Sequence, residues 1–221
     1  MKQLEIFYKI QERLLTDADV SGVLLMGSVA QGTALPESDL DIMILCGKNE
    51  FRTSFVDGVP VEYIFTTHDF RLRKLHDNDM EVYHFLNSKI TYDASGKLDE
   101  LMKLALEKYN NFKTKPETKA QISHWLSSAR LKLIAAINSK NMAERNFITA
   151  TNSWKIIEAV WAVNDKPVPP SGSVTRFKNT LSLLPSSDWF ERLFSGGDAL
   201  KSTAMLEMIE WALDKFNKQI N

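Results

Sequence analysis

Two apolar runs with a glycine-bearing break between them set the tightest limit on how this chain can fold. Val23-Leu24-Leu25-Met26 is long enough for a short buried strand and stops at Gly27-Ser28. Gly32, Pro36 and Ser38 follow, and the chain resumes as Asp39-Leu40-Asp41 and then the wholly apolar Ile42-Met43-Ile44-Leu45. Strands are expected at 23–26 and 40–45. Residues two apart on a strand point to one side, so Asp39 and Asp41 should project together, about 6–7 Å apart from twice the rise per residue. Two like charges so placed repel unless something positive stands beside them. Asp41, flanked by Leu40 and Ile42, must be paired or metal-bound if it is buried. A hard divalent cation, which takes oxygen ligands and keeps waters for phosphate, is the natural partner.

The first half alternates helix and strand. Leu4, Phe7, Tyr8, Leu14 and Leu15 among charges predict an amphipathic helix over 2–15. Residues 51–56 read as a short strand, Asp57-Gly58 as the tight turn of a hairpin, and 59–65 as a strand in which Glu62 interrupts an apolar and aromatic series. A helical pattern spans 68–86, a strand 89–93, and a helix about 97–111. Polar residues 110–116, ending in Pro116, form the linker candidate. After it strands disappear. Helices are expected over 117–139 and 144–163, at 174–184 and 188–194, and over 199–216, with the Asp188/Glu191 spacing of a capping box. The proline-rich 164–172 breaks the series. The fold class is therefore α+β, a small mixed β-sheet domain flanked by helices over 1–112, followed by an all-α helical bundle over 113–221.

Charge and cysteine content narrow the function classes. A formal net charge of −1 argues against a broad nucleic-acid surface, so a small substrate is expected rather than a polymer. Cys46 is the single cysteine, so no internal disulfide can form, and it reads as a small residue at the edge of the core. The opening Met1-Lys2-Gln3-Leu4-Glu5 lacks the pattern of a signal peptide, and no apolar run approaches a membrane span. No membrane partner is expected, and the expected location is the cytoplasm. Oligomeric state stays open, with a homodimer through the tryptophan-rich helical half as one candidate.

Three features of the first half belong together. Gly27-Ser28 offers backbone N–H groups and a hydroxyl where a strand ends, the chemistry of a phosphate cradle. Asp39 and Asp41 offer metal ligands a dozen residues on. Glu62 adds a third carboxylate, which permits a two-metal arrangement for phosphoryl chemistry. Taken singly, Gly27-Ser28 could be a plain turn, Asp39 a capping residue, and Glu62 a solvent-facing residue of an edge strand. The four histidines, at 68, 76, 84 and 124, show no metal-ligand spacing. The tryptophans at 125, 154, 161, 189 and 211 read mainly as helix-packing residues. Lys48, Arg52 and Lys155 are candidate triphosphate partners.

Gly27-Ser28-Val29-Ala30, Ser38-Asp39-Leu40-Asp41-Ile42 and Val61-Glu62-Tyr63 together resemble the signature of the nucleotidyltransferase superfamily that includes DNA polymerase beta. The second half is similar to that of two-domain bacterial members, the aminoglycoside and lincosamide nucleotidyltransferases, on Trp161-Ala162-Val163-Asn164-Asp165-Lys166-Pro167-Val168-Pro169-Pro170. The resemblance implies transfer of a nucleoside monophosphate from a nucleoside triphosphate, ATP by default, to a hydroxyl of a small acceptor, with release of pyrophosphate. Asp39, Asp41 and Glu62 would hold Mg²⁺ as the catalytic set. Gly27 and Ser28 would hold the β- and γ-phosphates, and the helical half would shape the acceptor pocket. Glu158 or Glu144 would be the base, by analogy with relatives that use a carboxylate of the helical domain. Two other readings stay open, an antitoxin-like transfer of AMP to a partner protein and a nucleotide-binding regulatory module without turnover.

Overall fold

The computed structural model describes residues 2–220; Met1 and Asn221, the outer limits of the two expected domains, lie outside the described residues. In chain order the elements are α1 (Lys2–Leu14), β1 (Gly22–Leu25), α2 (Gly27–Ala30), β2 (Leu40–Leu45), β3 (Glu50–Val56), β4 (Val59–Thr66), α3 (His68–Asp77), α4 (Val82–Leu86), β5 (Lys89–Asp93) and α5 (Lys97–Asn111). Helices α6 (Pro116–Asn138), α7 (Met142–Val163), α8 (Ser171–Phe177), α9 (Trp189–Phe194) and α10 (Asp198–Ile220) follow. The chain divides into two compact units, residues 1–111 and 112–221. This is an α+β protein with a mixed sheet in the first unit and helices alone in the second.

The sheet of the first unit runs β3-β4-β2-β1-β5. Its central pair, β2 and β4, is parallel, and every other pairing is antiparallel. Alternation along the strands sorts the side chains to two faces. Val23, Leu25, Leu40, Ile42, Ile44, Val59 and Val61 share one cluster with Ile6, Phe7 and Ile10 of α1, and the buried, unpaired Cys46 belongs to it. Asp41, Met43 and Leu45 take the other face of β2, where Met43 and Leu45 are buried. Helix α5 packs on β1, and a Cβ at Gly22 would stand 2.7 Å from Leu98. The two-residue turn at Asp57-Gly58, φ 51° and 80°, closes the β3–β4 hairpin with Val56 opposite Val59. Positive φ at both turn positions matches the twist of the strands it joins.

The helix expected over 68–86 is two helices. Asn78 adopts an extended conformation, and its side chain accepts the backbone N–H of Met80, which starts a 3₁₀ turn at 79–81 instead of continuing α3. Asparagine competes with the helix in this way because its short side chain reaches local backbone groups.

In the second unit α6, α7 and α10 pack together, with α9 on α10. Ile122, Leu126, Ala129, Leu133 and Ala136 of α6 form a stripe at alternating spacings of four and three and join Trp161, Trp189, Met205 and Phe216 in one core. The capping box expected at Asp188 does not form. Its carboxylate accepts the Ser186 hydroxyl, and the helix start has no side-chain cap. A side-chain cap is found at α7, where Asn141 accepts the Glu144 N–H through Oδ1 and donates from Nδ2 to the Glu144 carboxylate. The helix expected over 174–184 ends early. Leu181 is extended, and the Asn164 side chain takes the N–H groups of Ser182 and Leu183 and donates to the Leu183 carbonyl, supplying the partners a helix would have given. No helix among the described residues is long and apolar enough to cross a membrane.

Candidate active site

The site begins where β1 ends. Gly27 has φ +65°, and a Cβ there would lie 2.4 Å from Oδ2 of Asp41. Glycine is required twice, by a left-handed backbone and by the carboxylate lying against its α-carbon. The chain then makes one helical turn, Gly27–Ala30, rather than an open loop. The leading N–H groups of a helical turn have no acceptor within it. Ser28 lies at their start, half-buried, and its hydroxyl makes no hydrogen bond among the described residues. Backbone bonding couples this turn to β2, since the N–H of Met26 donates to the Asp41 carbonyl at 2.9 Å.

The parallel register puts Asp41 opposite Glu62 and Leu40 opposite Val61. Directly paired residues share a face, so Asp41 and Glu62, distant in sequence, lie side by side on neighbouring strands whose backbones run about 4.8 Å apart. Strand β4 lies between β3 and β2, so Glu62 is not on a sheet edge. Both residues are partly buried. Across β4, Thr53 is the partner of Glu62, and Phe51 and Phe55 alternate with it on the same side of β3, 62% and 79% exposed.

Asp39 stands one residue ahead of β2 and is exposed. The loop that delivers it is anchored by a residue that no pattern in the chain singles out. Gln3, buried in α1, donates from Nε2 to the carbonyl oxygens of Leu35 at 2.9 Å, Pro36 at 3.1 Å and Ser38 at 3.3 Å. Its one advance signal is an amide on the helix face that also carries Phe7 and Ile10. Ser38 closes the loop on itself by accepting the Leu35 N–H.

Other candidates fall elsewhere. Arg52 pairs in register with Tyr63, so it takes the sheet face opposite Glu62. Lys48 joins it there, and both bind Glu50 and lie over the Phe65 ring. In the second unit, Lys155 sits 3.8 Å over the Trp125 ring and 3.0 Å from Glu158, and Trp125 is partly exposed rather than core. The Glu144 carboxylate accepts the Nδ2–H of Asn141, the residue that caps α7.

Among the described residues no three His, Cys, Asp or Glu side chains are gathered as a ready-made metal cage. Three like charges repel at contact distance, so a carboxylate set closes only around a cation. Asp39, Asp41 and Glu62 offer oxygen alone, which fits a hard divalent ion such as Mg²⁺ rather than zinc or copper.

Comparison with known proteins assigns the chain to a family. A family model described as a nucleotidyltransferase domain matches residues 7–125. Among solved structures, the nucleotidyltransferase-like protein from Exiguobacterium sibiricum 255-15 is similar over 96% of this chain and 76% of its own, at 11% identity and a TM-score of 0.46. No curated protein matches the chain. The family match covers more than half of the sequence, from within α1 to within α6, and on that ground the chain belongs to the nucleotidyltransferase domain family.

Proposed function

We propose that this chain transfers a nucleoside monophosphate, AMP from ATP by default, to a hydroxyl of a small acceptor in the cytoplasm. An aminoglycoside-like compound is the acceptor class suggested by the resemblance of the helical half. The acceptor oxygen bonds to the α-phosphorus, the bond to the β-phosphate oxygen breaks, and pyrophosphate leaves. The observation that carries the reading is the register of β2 and β4, which pairs Asp41 with Glu62 above the glycine turn.

Asp39, Asp41 and Glu62 would hold Mg²⁺, which when bound neutralises triphosphate charge and lowers the pKa of the attacking hydroxyl. Asp41, held against the α-carbon of Gly27, ties the carboxylates to the phosphate-binding turn. Ser28 donates its hydroxyl to the departing pyrophosphate, with the leading N–H groups of α2 beside it. Glu62, on the strand toward the sheet edge, is the carboxylate nearer the acceptor.

Asp41→Asn tests the assignment. Losing several kcal/mol of charge stabilisation lowers the rate of pyrophosphate release by about a hundredfold or more. The circular dichroism spectrum stays unchanged, because asparagine keeps the size of the Asp41 side chain and one of its acceptor oxygens. Near-normal Mg²⁺-dependent release across an acceptor panel would overturn the proposal.

A further inference from the structure

The sheet face opposite the carboxylates carries a groove of about 820 Å³. Its floor is Tyr63 and Phe65, which alternate with Glu62 along β4 and stack on each other with ring centroids 6.2 Å apart and planes 14° from parallel. One wall is α1, with Lys9 and Arg13 one turn apart. The other brings Lys48 and Arg52, held over the Phe65 ring at 4.7 and 5.3 Å. Asp17 and Asp57 also line the groove.

The charges on the two walls differ in state. Lys48 and Arg52 share a single carboxylate, Glu50, which leaves one positive charge in excess. Lys9 and Arg13 are exposed and form no ion pair among the described residues. Like charges one helical turn apart destabilise a helix slightly, so this pair has electrostatic energy to gain from an anion. Cations facing each other across stacked rings suit a ligand that is both anionic and planar. The volume lies within the range of small-molecule sites, about 300–1,000 Å³, and so suits a single nucleotide better than a polymer strand.

We infer that this groove is a second nucleotide site, taking a nucleoside di- or triphosphate with its base beside Tyr63, since Lys48 and Arg52 already cover the Phe65 ring, and its phosphates between the two cationic walls. It is separate from the donor site, because Arg52, Tyr63 and Phe65 of its lining take the sheet face opposite Glu62. The inference does not rest on the transfer reading. Its binding energy comes from fixed cations, so it requires no metal.

Isothermal titration of the full chain with ATP and GTP in EDTA tests this, with adenosine and tripolyphosphate as controls. ATP or GTP binds the wild type, more tightly than either control, and adding salt weakens it. Lys9→Glu combined with Arg13→Glu, two exposed helix positions, weakens binding by about tenfold or more with an unchanged circular dichroism spectrum. Asp41→Asn leaves the EDTA binding intact even if transfer is abolished. The inference is overturned by any of four results: no nucleotide binding in EDTA, tripolyphosphate binding as tightly as ATP, loss of binding in Asp41→Asn, or tighter binding of a short single-stranded oligonucleotide.

Discussion

At Gly27 two demands meet on one α-carbon. Any other L-residue at φ +65° costs about 1–2 kcal/mol from backbone sterics alone, and a Cβ there would drive Oδ2 of Asp41 from its place. Gly27→Ala should therefore lower the melting temperature and, by moving Asp41, cost pyrophosphate release more than the stability loss explains. Thermal melts and turnover on the same sample separate the two effects. Gln3 acts at a distance. Gln3→Leu keeps the bulk but takes the side-chain donor from the Pro36 and Ser38 carbonyl oxygens, while that of Leu35 keeps the Ser38 N–H, at a cost of about 1–3 kcal/mol. The loosened 35–38 loop should raise the Mg²⁺ concentration needed for half-maximal turnover while leaving the helix content alone. The candidate residues themselves could be picked out in sequence, because carboxylates beside apolar runs contradict packing. Gln3 could not, since one amide on an amphipathic helix looks like any other, and its three acceptors come from a loop more than thirty residues away.

Helices α3 and α4 and the 3₁₀ turn between them are held by a buried ion cluster. Arg71 and Glu81, both buried, form a salt bridge, and Nδ1 of His84 lies 3.1 Å from the same Glu81 oxygen. Burial alone pushes the Glu81 carboxyl up, but the hydrogen bond and charge of His84, and then Arg71, outweigh it and hold it below its ordinary 4.5. A depressed carboxyl contributes stability that is complete above its unfolded value and is lost as pH falls through the folded one. Melting temperature should thus fall as pH drops below about 4.5, and Glu81→Gln should flatten that acid limb while lowering the neutral plateau. On the edge strand β3, Phe55 is 79% exposed, and exposed aromatics on an unpaired edge invite association. Phe55→Lys should reduce concentration-dependent light scattering without a change in melting temperature. Strands and long helices could be foreseen from apolar periodicity. The break at Asn78 and the early end of α8 could not, because both depend on a single side chain taking backbone partners, one local and one from Asn164 far along the chain.

Each unit has its own hydrophobic cluster. Residues 112–221 produced alone should therefore melt cooperatively as a helical protein, and Leu126→Ala, at a fully buried position of α6, should destabilise that piece by about 2–5 kcal/mol. A broad, non-cooperative melt of the isolated piece would show that its core needs residues of the first unit. The contrast between a mixed sheet and a helical half could be read from the disappearance of strands after Pro116. Strand order could not, since nothing in the periodicity says that β4 passes β3 to lie against β2. That parallel pairing has a kinetic side. Asp41 and Glu62 are brought together by a pairing that skips over β3 and its turn, so on the proposed transfer activity a substitution that slows the Asp57-Gly58 bend should delay the recovery of turnover on refolding.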